Sequence, residues 1–120
     1  MPASGTIVVL ITCPTPAVAE KIGRTLVEER LAACANLVSG LTSIYRWEEK
    51  ICRDAETLLL IKTRRSRLTA LERRVLTLHP YSVPEILALP VQAGSRPYLS
   101  WVVDSVSGRP NARKAARRKA

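Results

Sequence analysis

Residues 79–86, with the sequence HPYSVPEI, mark the point where a helix ends and a strand begins. Proline fixes its own φ at about −65° and pushes the preceding residue, here His79 or Val83, out of the helical region. The turn is therefore stiff. It holds the imidazole of His79, the phenol of Tyr81 and the carboxylate of Glu85 within a few positions of one another. Such a turn is either a plain helix stop with exposed polar groups or one wall of a binding site.

The segments on either side of this turn predict a helix and an edge strand. Upstream, Ser66 offers an N-cap, and apolar residues recur at helical spacing. These residues are Leu68, Leu71, Val75 and Leu78. Downstream, residues 85–91 predict a strand, and the prolines at its two ends place it at the edge of a sheet. Residues 95–106 predict a short third helix.

The N-terminal half predicts a strand, a helix and a long hairpin. Residues 6–12 (TIVVLIT) form a β-branched apolar run, typical of a central strand that is covered on both faces. Thr15 and Pro16 begin an amphipathic helix that we expect to run to about Leu31. Residues 34–48 and 51–63 then predict two paired strands, with a bend at Ser39 and Gly40.

The element order βαββαβ, followed by the third helix, predicts an α+β fold of the ferredoxin-like, split βαβ type with an added C-terminal helix. Residues 1–106 form one domain in this interpretation. The hairpin and the proline-bracketed strand would leave sheet edges open, which favours an oligomer over a monomer.

This topology brings several chemically active side chains to one pole of the fold. The end of the first strand, the hairpin tip and the turn after the second helix meet there, and they carry Cys13, Trp47, His79, Tyr81 and Glu85. Two other candidates, Cys34 and Lys62, fall near the opposite ends of their strands, about 20 Å away. A site that unites both groups therefore requires a second copy of the chain.

The net charge of +9 is concentrated at the end of the sequence. Residues 107–120 contain six basic residues and no acidic ones, which leaves only +3 on the rest of the chain. This segment has no apolar period, so it predicts a disordered basic tail rather than a folded element. Contact between the tail and nucleic acid is the less favoured interpretation, and a solvated tail is the favoured one.

The composition also excludes several classes of protein. The sequence contains neither a signal-peptide pattern nor about 18 consecutive apolar residues, which favours a cytoplasmic protein without a membrane partner. Its three cysteines show no paired spacing, so reduced thiols are expected. With one histidine and no C-x-x-C motif, a closed four-ligand zinc site within one chain is not expected.

The thiol of Cys13 and the imidazole of His79 suit soft or borderline ions such as copper or zinc, and Glu85 could add a carboxylate. The alternative for Cys13 and Cys34 is that each is a small buried hydrophobic residue. Lys62 interrupts an apolar run, and its ammonium either faces an anion, such as Glu85 of a neighbouring copy, or reaches water. A cysteine beside a histidine also permits nucleophilic catalysis. However, no orienting acid or hydrolase motif is recognisable, so a non-enzymatic role is favoured.

Motifs spread over about residues 7–106 resemble the divalent-cation tolerance family CutA. They are Thr12-Cys13-Pro14, residues 28–34 (EERLAAC) with Asn36, residues 42–45 (TSIY) with Trp47, residues 61–63 (IKT), residues 79–86, and Tyr98, Leu99 and Trp101. Two departures are the hairpin turn, Glu49-Lys50, where glycine is usual, and Ala35, where a larger aliphatic residue is common.

The resemblance implies a cytosolic homotrimer, similar in architecture to the PII signalling proteins, that binds a divalent metal, especially Cu(II), weakly in clefts between subunits. It implies Cys13 and His79, together with Cys34, as metal ligands. Lys62, Tyr81 and Glu85 are the expected ligand-binding residues. The alternative function is a PII-like signalling adaptor that binds a metabolite or a protein.

Overall fold

A computed structural model describes residues 5–107 of the chain. They form a four-stranded antiparallel sheet and three helices. The elements are β1 (Thr6–Cys13), α1 (Pro16–Glu28), β2 (Cys34–Trp47), β3 (Lys50–Arg64), α2 (Leu68–Leu78), β4 (Leu87–Pro90) and α3 (Arg96–Ser105). The sheet order β2-β3-β1-β4 confirms the predicted α+β fold, with β1 central and β4 at an edge. Apart from Ser107, the predicted tail lies outside the described residues.

Helix boundaries follow local chemistry, and two of them correct the sequence predictions. The hydroxyl of Thr15 accepts the amide of Val18, so α1 begins as expected. It ends at Glu28 instead of Leu31 because Arg30 adopts a left-handed φ of 59°. Ser66 does not cap α2. It lies inside a 3₁₀ turn, Arg65–Arg67, that leads into the helix. In the range 5–107, no helix is both long and apolar enough to span a membrane.

The main hydrophobic core lies between α1, α2 and one face of the sheet. Alternate residues of β1 and β3 point into it, which follows from the two-residue period of a strand. The buried members include Ile7, Val9, Ile11, Leu59 and Ile61 from the strands and Ile22, Leu26, Leu71 and Val75 from the helices. Two guanidinium nitrogens of Arg74 on α2 also donate to the carboxylate of Glu29, just beyond α1.

The opposite face of the sheet is apolar and lies away from α1 and α2. Val8, Leu10, Leu58 and Leu60 alternate with the core residues and remain partly exposed. Leu87 and Leu89 of β4 are 55% and 50% exposed. In the single chain, the first strand is therefore covered along its whole length on one face only: on the outward face Thr6 is buried, but Val8 and Leu10 are partly exposed.

The outer half of the β2–β3 hairpin projects beyond the rest of the sheet. Strand β1 pairs with β3 only from Thr57 to Arg64, so residues 41–56 form a ribbon of two strands. The ribbon begins at the predicted bend, where the register shifts and Gly40 has a φ of 82°. Its side chains Ile44 and Ile51 are 70% and 64% exposed. An isolated two-stranded ribbon is marginally stable in water, so a surface packed against this one would stabilise it.

We expect Leu71→Ala to lower the free energy of unfolding by about 2–5 kcal/mol, because it leaves a cavity between α2 and the sheet. Leu71 is fully buried, whereas Leu76 on the same helix is 53% exposed. The Leu76→Ala variant is therefore the matched control and should cost far less. Urea unfolding of both variants measures the difference, and equal losses would contradict this account of the core.

Candidate functional site

The predicted pole is a cavity of about 560 Å³ between the hairpin and the turn that follows α2. We call this cavity the notch. Strands β1 and β3 supply its floor, the ribbon supplies one wall, and the 79–86 turn supplies the other. Its lining residues include Thr12, Tyr45, Trp47, Glu56, Tyr81 and Glu85. The structure therefore confirms that Trp47, Tyr81 and Glu85 share this pole.

His79 holds the turn against β1. Its Nε2 lies 2.8 Å from the carbonyl oxygen of Thr12, and its Nδ1 accepts the amide of Tyr81 at 3.1 Å. A neutral imidazole with its proton on Nε2 satisfies both bonds. The ring is buried, and it contacts the ring of Tyr81 at a centroid distance of 4.7 Å. Both nitrogens are thus occupied within the chain, and His79 positions Tyr81 over the notch.

Cys13 lies behind the same wall, in the hydrophobic core. Its side chain has no exposed surface. Burial, reinforced by the nearby charge of Glu56, raises the pKa of the Cys13 thiol to about 11. The sulfur is therefore a thiol at neutral pH and not the thiolate that binds metals.

Two carboxylates, those of Glu56 and Glu85, line the notch. Glu56 is only 8% exposed, and its Oε2 accepts the hydroxyl of Tyr81 at 2.7 Å. Burial, followed by repulsion from Glu56, raises the pKa of the Glu85 carboxyl above its ordinary value of 4.5. Burial and the bond to Glu56 also raise the pKa of Tyr81. Among residues 5–107, no lysine or arginine forms a salt bridge with either acid.

Polar and aromatic groups of the ribbon complete the outer wall. The hydroxyl of Tyr45 donates to Oδ2 of Asp54 at 2.5 Å, and this bond raises the pKa of Tyr45 to about 12. Trp47 is 47% exposed. The notch is thus an acidic cavity with an aromatic rim that is open to solvent.

The two remaining candidates lie elsewhere. Cys34 and Lys62 are register partners at the far end of β2 and β3. The Nζ of Lys62 donates to Oδ1 of Asn36, and the Sγ of Cys34 lies 3.6 Å from the same oxygen. One chain therefore does not bring these residues to the notch, as the topology predicts. Within residues 5–107, no cluster of three or more His, Cys, Asp or Glu side chains could hold a metal ion.

Sequence reasoning missed Glu56 and its neighbour Asp54. A signal for Glu56 was present: an acid two positions before Leu58 shares the face of Leu58 and Leu60, where a charge requires a partner. The register that places Glu56 beside the 79–86 turn is a long-range property, and the pattern of residues does not contain it.

Comparison with known proteins identifies close relatives. The family model "CutA1 divalent ion tolerance protein" matches residues 7–105. The divalent-cation tolerance protein CutA of Thermus thermophilus is 57% identical over 95 residues, which are 79% of this chain and 92% of that protein. The human protein CutA is 52% identical over 92 residues, 77% of this chain but only 51% of that protein. The Arabidopsis thaliana relative, named chloroplastic, is 46% identical over 99 residues, 82% of this chain and 54% of that protein.

Solved structures share the fold. The T. thermophilus protein Cut A1 superposes with a TM-score of 0.80 at 56% identity, covering 81% of this chain and 94% of that chain. CutA of Xylella fastidiosa has a TM-score of 0.83 at 41% identity, with coverages of 85% and 98%. A protein from Archaeoglobus fulgidus described as periplasmic has a TM-score of 0.82 at 33% identity, with coverages of 84% and 98%. Relatives thus carry the names of more than one compartment.

We expect Tyr81→Phe to destabilise the chain by about 1–3 kcal/mol, because a buried Glu56 oxygen loses its hydrogen-bond donor. Tyr45→Phe is the matched control, since it removes a phenol whose partner Asp54 is exposed, and its loss should be smaller. Thermal unfolding at pH 7 measures both variants. Equal melting temperatures for the two would show that the bond to Glu56 does not stabilise the notch.

Proposed function

The chain belongs to the CutA1 divalent ion tolerance family, and from that premise we propose that it forms a homotrimer that binds a divalent cation weakly, Cu(II) among them, at clefts between subunits. Each cleft is built around one notch and is completed by a neighbouring copy. The observation that carries the proposal is the buried carboxylate of Glu56, which shares the notch with Glu85 and has no cationic partner among the described residues.

Assembly is supported by the surface that the single chain leaves open. The uncovered sheet face is apolar, the ribbon exposes Ile44 and Ile51, and both edge strands have free backbone groups. The notch lies where the ribbon leaves the sheet, so a copy that covers the ribbon also closes the notch. The cleft between two copies is therefore where we expect a ligand to bind.

Cation binding is supported by charge. Two carboxylates share a partly desolvated cavity, and burial, followed by repulsion from Glu56, raises the pKa of Glu85. A divalent cation between them would replace repulsion by attraction. The side-chain donors that line the notch are mainly oxygens, including those of Glu56, Glu85 and Ser43, and such donors suit hard divalent cations.

An alternative set of metal ligands is the one that the resemblance implies: Cys13, His79 and Cys34. Thiolate and imidazole groups are ligands that copper prefers. For this set to form, Cys13 must lose a proton despite its raised pKa, His79 must release one of its two hydrogen bonds, and Cys34 must come from another copy. Because of these costs, we propose that the carboxylates bind the cation first. The thiol and the imidazole lie deeper in the chain.

A second candidate function is a signalling adaptor that binds a small metabolite. The observation that favours it is the size and lining of the notch. A cavity of about 560 Å³ with Tyr45, Trp47 and Tyr81 at its walls lies in the range of small-molecule sites. Here the acids would recognise a cationic or hydrogen-bond-donating group of that molecule.

We expect Glu85→Gln to weaken divalent-cation binding at least about tenfold, comparable to the loss of an outer-sphere partner. Without cation, the same change should leave the melting temperature at pH 7 unchanged or higher. The sign follows from the raised pKa: the folded state disfavours ionised Glu85, so stability falls as pH rises from 4.5 through the raised pKa, and glutamine removes this loss. Calorimetric titration with Cu(II) and Mn(II) and thermal unfolding give the two readouts.

The matched control is Glu72→Gln, an exposed acid on α2 that does not line the notch. It should change neither readout. Parallel titrations of Cys13→Ala and His79→Ala test the competing arrangement. If they abolish Cu(II) binding while Glu85→Gln leaves it intact, the carboxylate site is wrong.

We expect the chain in solution to have a mass of about 40 kDa, three times its 13.2 kDa. Ile44→Asp should shift it toward monomers because it places a charge on the exposed apolar surface that the proposed assembly would cover. Leu76→Asp, on the outer surface of α2, is the control and should leave assembly intact. Light scattering at micromolar concentration measures both, and a 13 kDa wild-type particle would refute the trimer.

A further inference from the structure

The notch gathers most of the aromatic side chains of the protein. The sequence contains three tyrosines, two tryptophans and no phenylalanine. Tyr45 and Trp47, from β2, and Tyr81, from the turn on the opposite side, all line this one cavity. The other two aromatic residues, Tyr98 and Trp101, contact each other on α3. The notch therefore combines acidic groups with aromatic walls.

Tyr45 and Trp47 have the spacing of a clamp around a cation. They are two positions apart on β2, so their side chains leave the strand on the same side. Their backbone positions are about 6.6 Å apart at 3.3 Å per residue. A positive charge held between the two side chains can therefore lie within the ~6 Å of each ring at which cation–π attraction acts.

The two phenols of the notch already donate their hydroxyl protons. The hydroxyl of Tyr81 donates to Oε2 of Glu56 at 2.7 Å, and that of Tyr45 donates to Oδ2 of Asp54 at 2.5 Å. Both rings therefore offer a ligand aromatic surface rather than a hydroxyl donor. The face of an aromatic ring is negative and attracts cations.

The charges around the notch also favour a cation. The two walls, residues 41–56 and 79–86, carry five acidic and three basic residues, with His79 counted as neutral. Two of the acids, Glu56 and Glu85, line the cavity, and Glu56 is only 8% exposed. None of the bases lines it, and these are Arg46, Lys50 and Arg53. The cavity therefore has negative charge that no side chain in its lining balances.

The notch also offers apolar contacts that a metal ion would not use. Ile44 and Val83 line it, and they are 70% and 67% exposed. The volume of about 560 Å³ lies in the range of sites for small organic molecules. A metal ion would bind only the oxygens. An organic cation would also cover the aromatic and aliphatic walls.

We propose that the notch binds a small alkylammonium, with its positive charge among the aromatic rings and carboxylates and its alkyl groups against Ile44 and Val83. The inference rests on the proposed function, in which the notch is a cation site, and it names the class of organic cation. A methylated ammonium suits the site best, because aromatic rings around the charge are the usual way in which proteins recognise quaternary ammonium groups.

The test is calorimetric titration of the full chain with tetramethylammonium chloride at constant ionic strength. The matched probe is tert-butanol, which is branched and similar in size but carries no charge. We expect a Kd of about 1–10 mM for tetramethylammonium, as suits a ligand of so few atoms. Binding of tert-butanol should be at least ~10-fold weaker, because it lacks the charge that the rings and carboxylates attract.

A matched pair of tryptophan variants tests the aromatic wall. Trp47→Leu should raise the Kd for tetramethylammonium at least ~5-fold. Trp101→Phe is the control, since Trp101 lies on α3 outside the notch, and it should leave the Kd unchanged. In that variant Trp47 is the only tryptophan, so a saturable change in its fluorescence gives a second measure of binding. Circular dichroism establishes that both variants are folded.

Titration of the same proteins with Mn(II) separates this inference from the proposed function. Trp47→Leu should leave Mn(II) binding unchanged because the metal binds oxygens, whereas Glu85→Gln should weaken both ligands. Binding of Mn(II) without tetramethylammonium would overturn the alkylammonium site and leave the divalent-cation proposal intact. Binding of tetramethylammonium that depends on Trp47, without Mn(II), would overturn only the divalent-cation proposal.

Three results would overturn the alkylammonium site. The first is the absence of saturable tetramethylammonium binding to the wild-type chain. The second is equal affinity for tert-butanol, which would make the notch an apolar cavity that does not recognise charge. The third is an equal effect of Trp47→Leu and Trp101→Phe, which would place the ligand away from the aromatic wall.

Discussion

The rest of the structure depends on one imbalance: the sheet is apolar on both faces, but α1 and α2 cover only one of them. Ile7, Val9 and Ile11 are buried under α1 and α2, while the alternating Val8 and Leu10 face outward. A two-residue period forces this division, since consecutive side chains of a strand point to opposite faces. Burying an exposed aliphatic side chain is worth about 1.5–3 kcal/mol, so the open face, the edge strands and the projecting ribbon together favour association. The notch lies where the ribbon leaves the sheet, so it borders this uncovered surface.

Much of this was predictable from the sequence. The strand order follows from the βαββαβ pattern, and the gathering of Trp47, Tyr81 and Glu85 follows from strand direction. The reach of α1 was overestimated because the left-handed conformation of Arg30 has no strong sequence signal, unlike a glycine at the same place. The roles of individual side chains were also beyond the pattern. Whether a histidine binds a ligand or only forms structural hydrogen bonds depends on the backbone groups that lie next to its ring. Strand register and the conformation of the loop determine which backbone groups these are.

His79 illustrates the difference between a conspicuous residue and a reactive one. A single histidine in a proline-bracketed turn has the composition of a metal site. In the folded chain its two nitrogens join the Thr12 carbonyl to the Tyr81 amide, so it ties the turn to β1. The phenol of Tyr81 is then directed at Glu56. The buried charge in the notch belongs to this acid, which sequence reasoning overlooked, and His79 contacts it only through Tyr81.

Strand β3 also separates two electrostatic environments. Asp54 and Glu56 lie at its notch end, and Lys62 and Arg64 lie at the other. Ten residues of strand separate Asp54 from Arg64, about 33 Å at 3.3 Å per residue. The Debye length at physiological ionic strength is about 8 Å, so exposed charges at the two ends are screened from each other. A cation at the acidic end would therefore bind with little interference from the cations at the basic end.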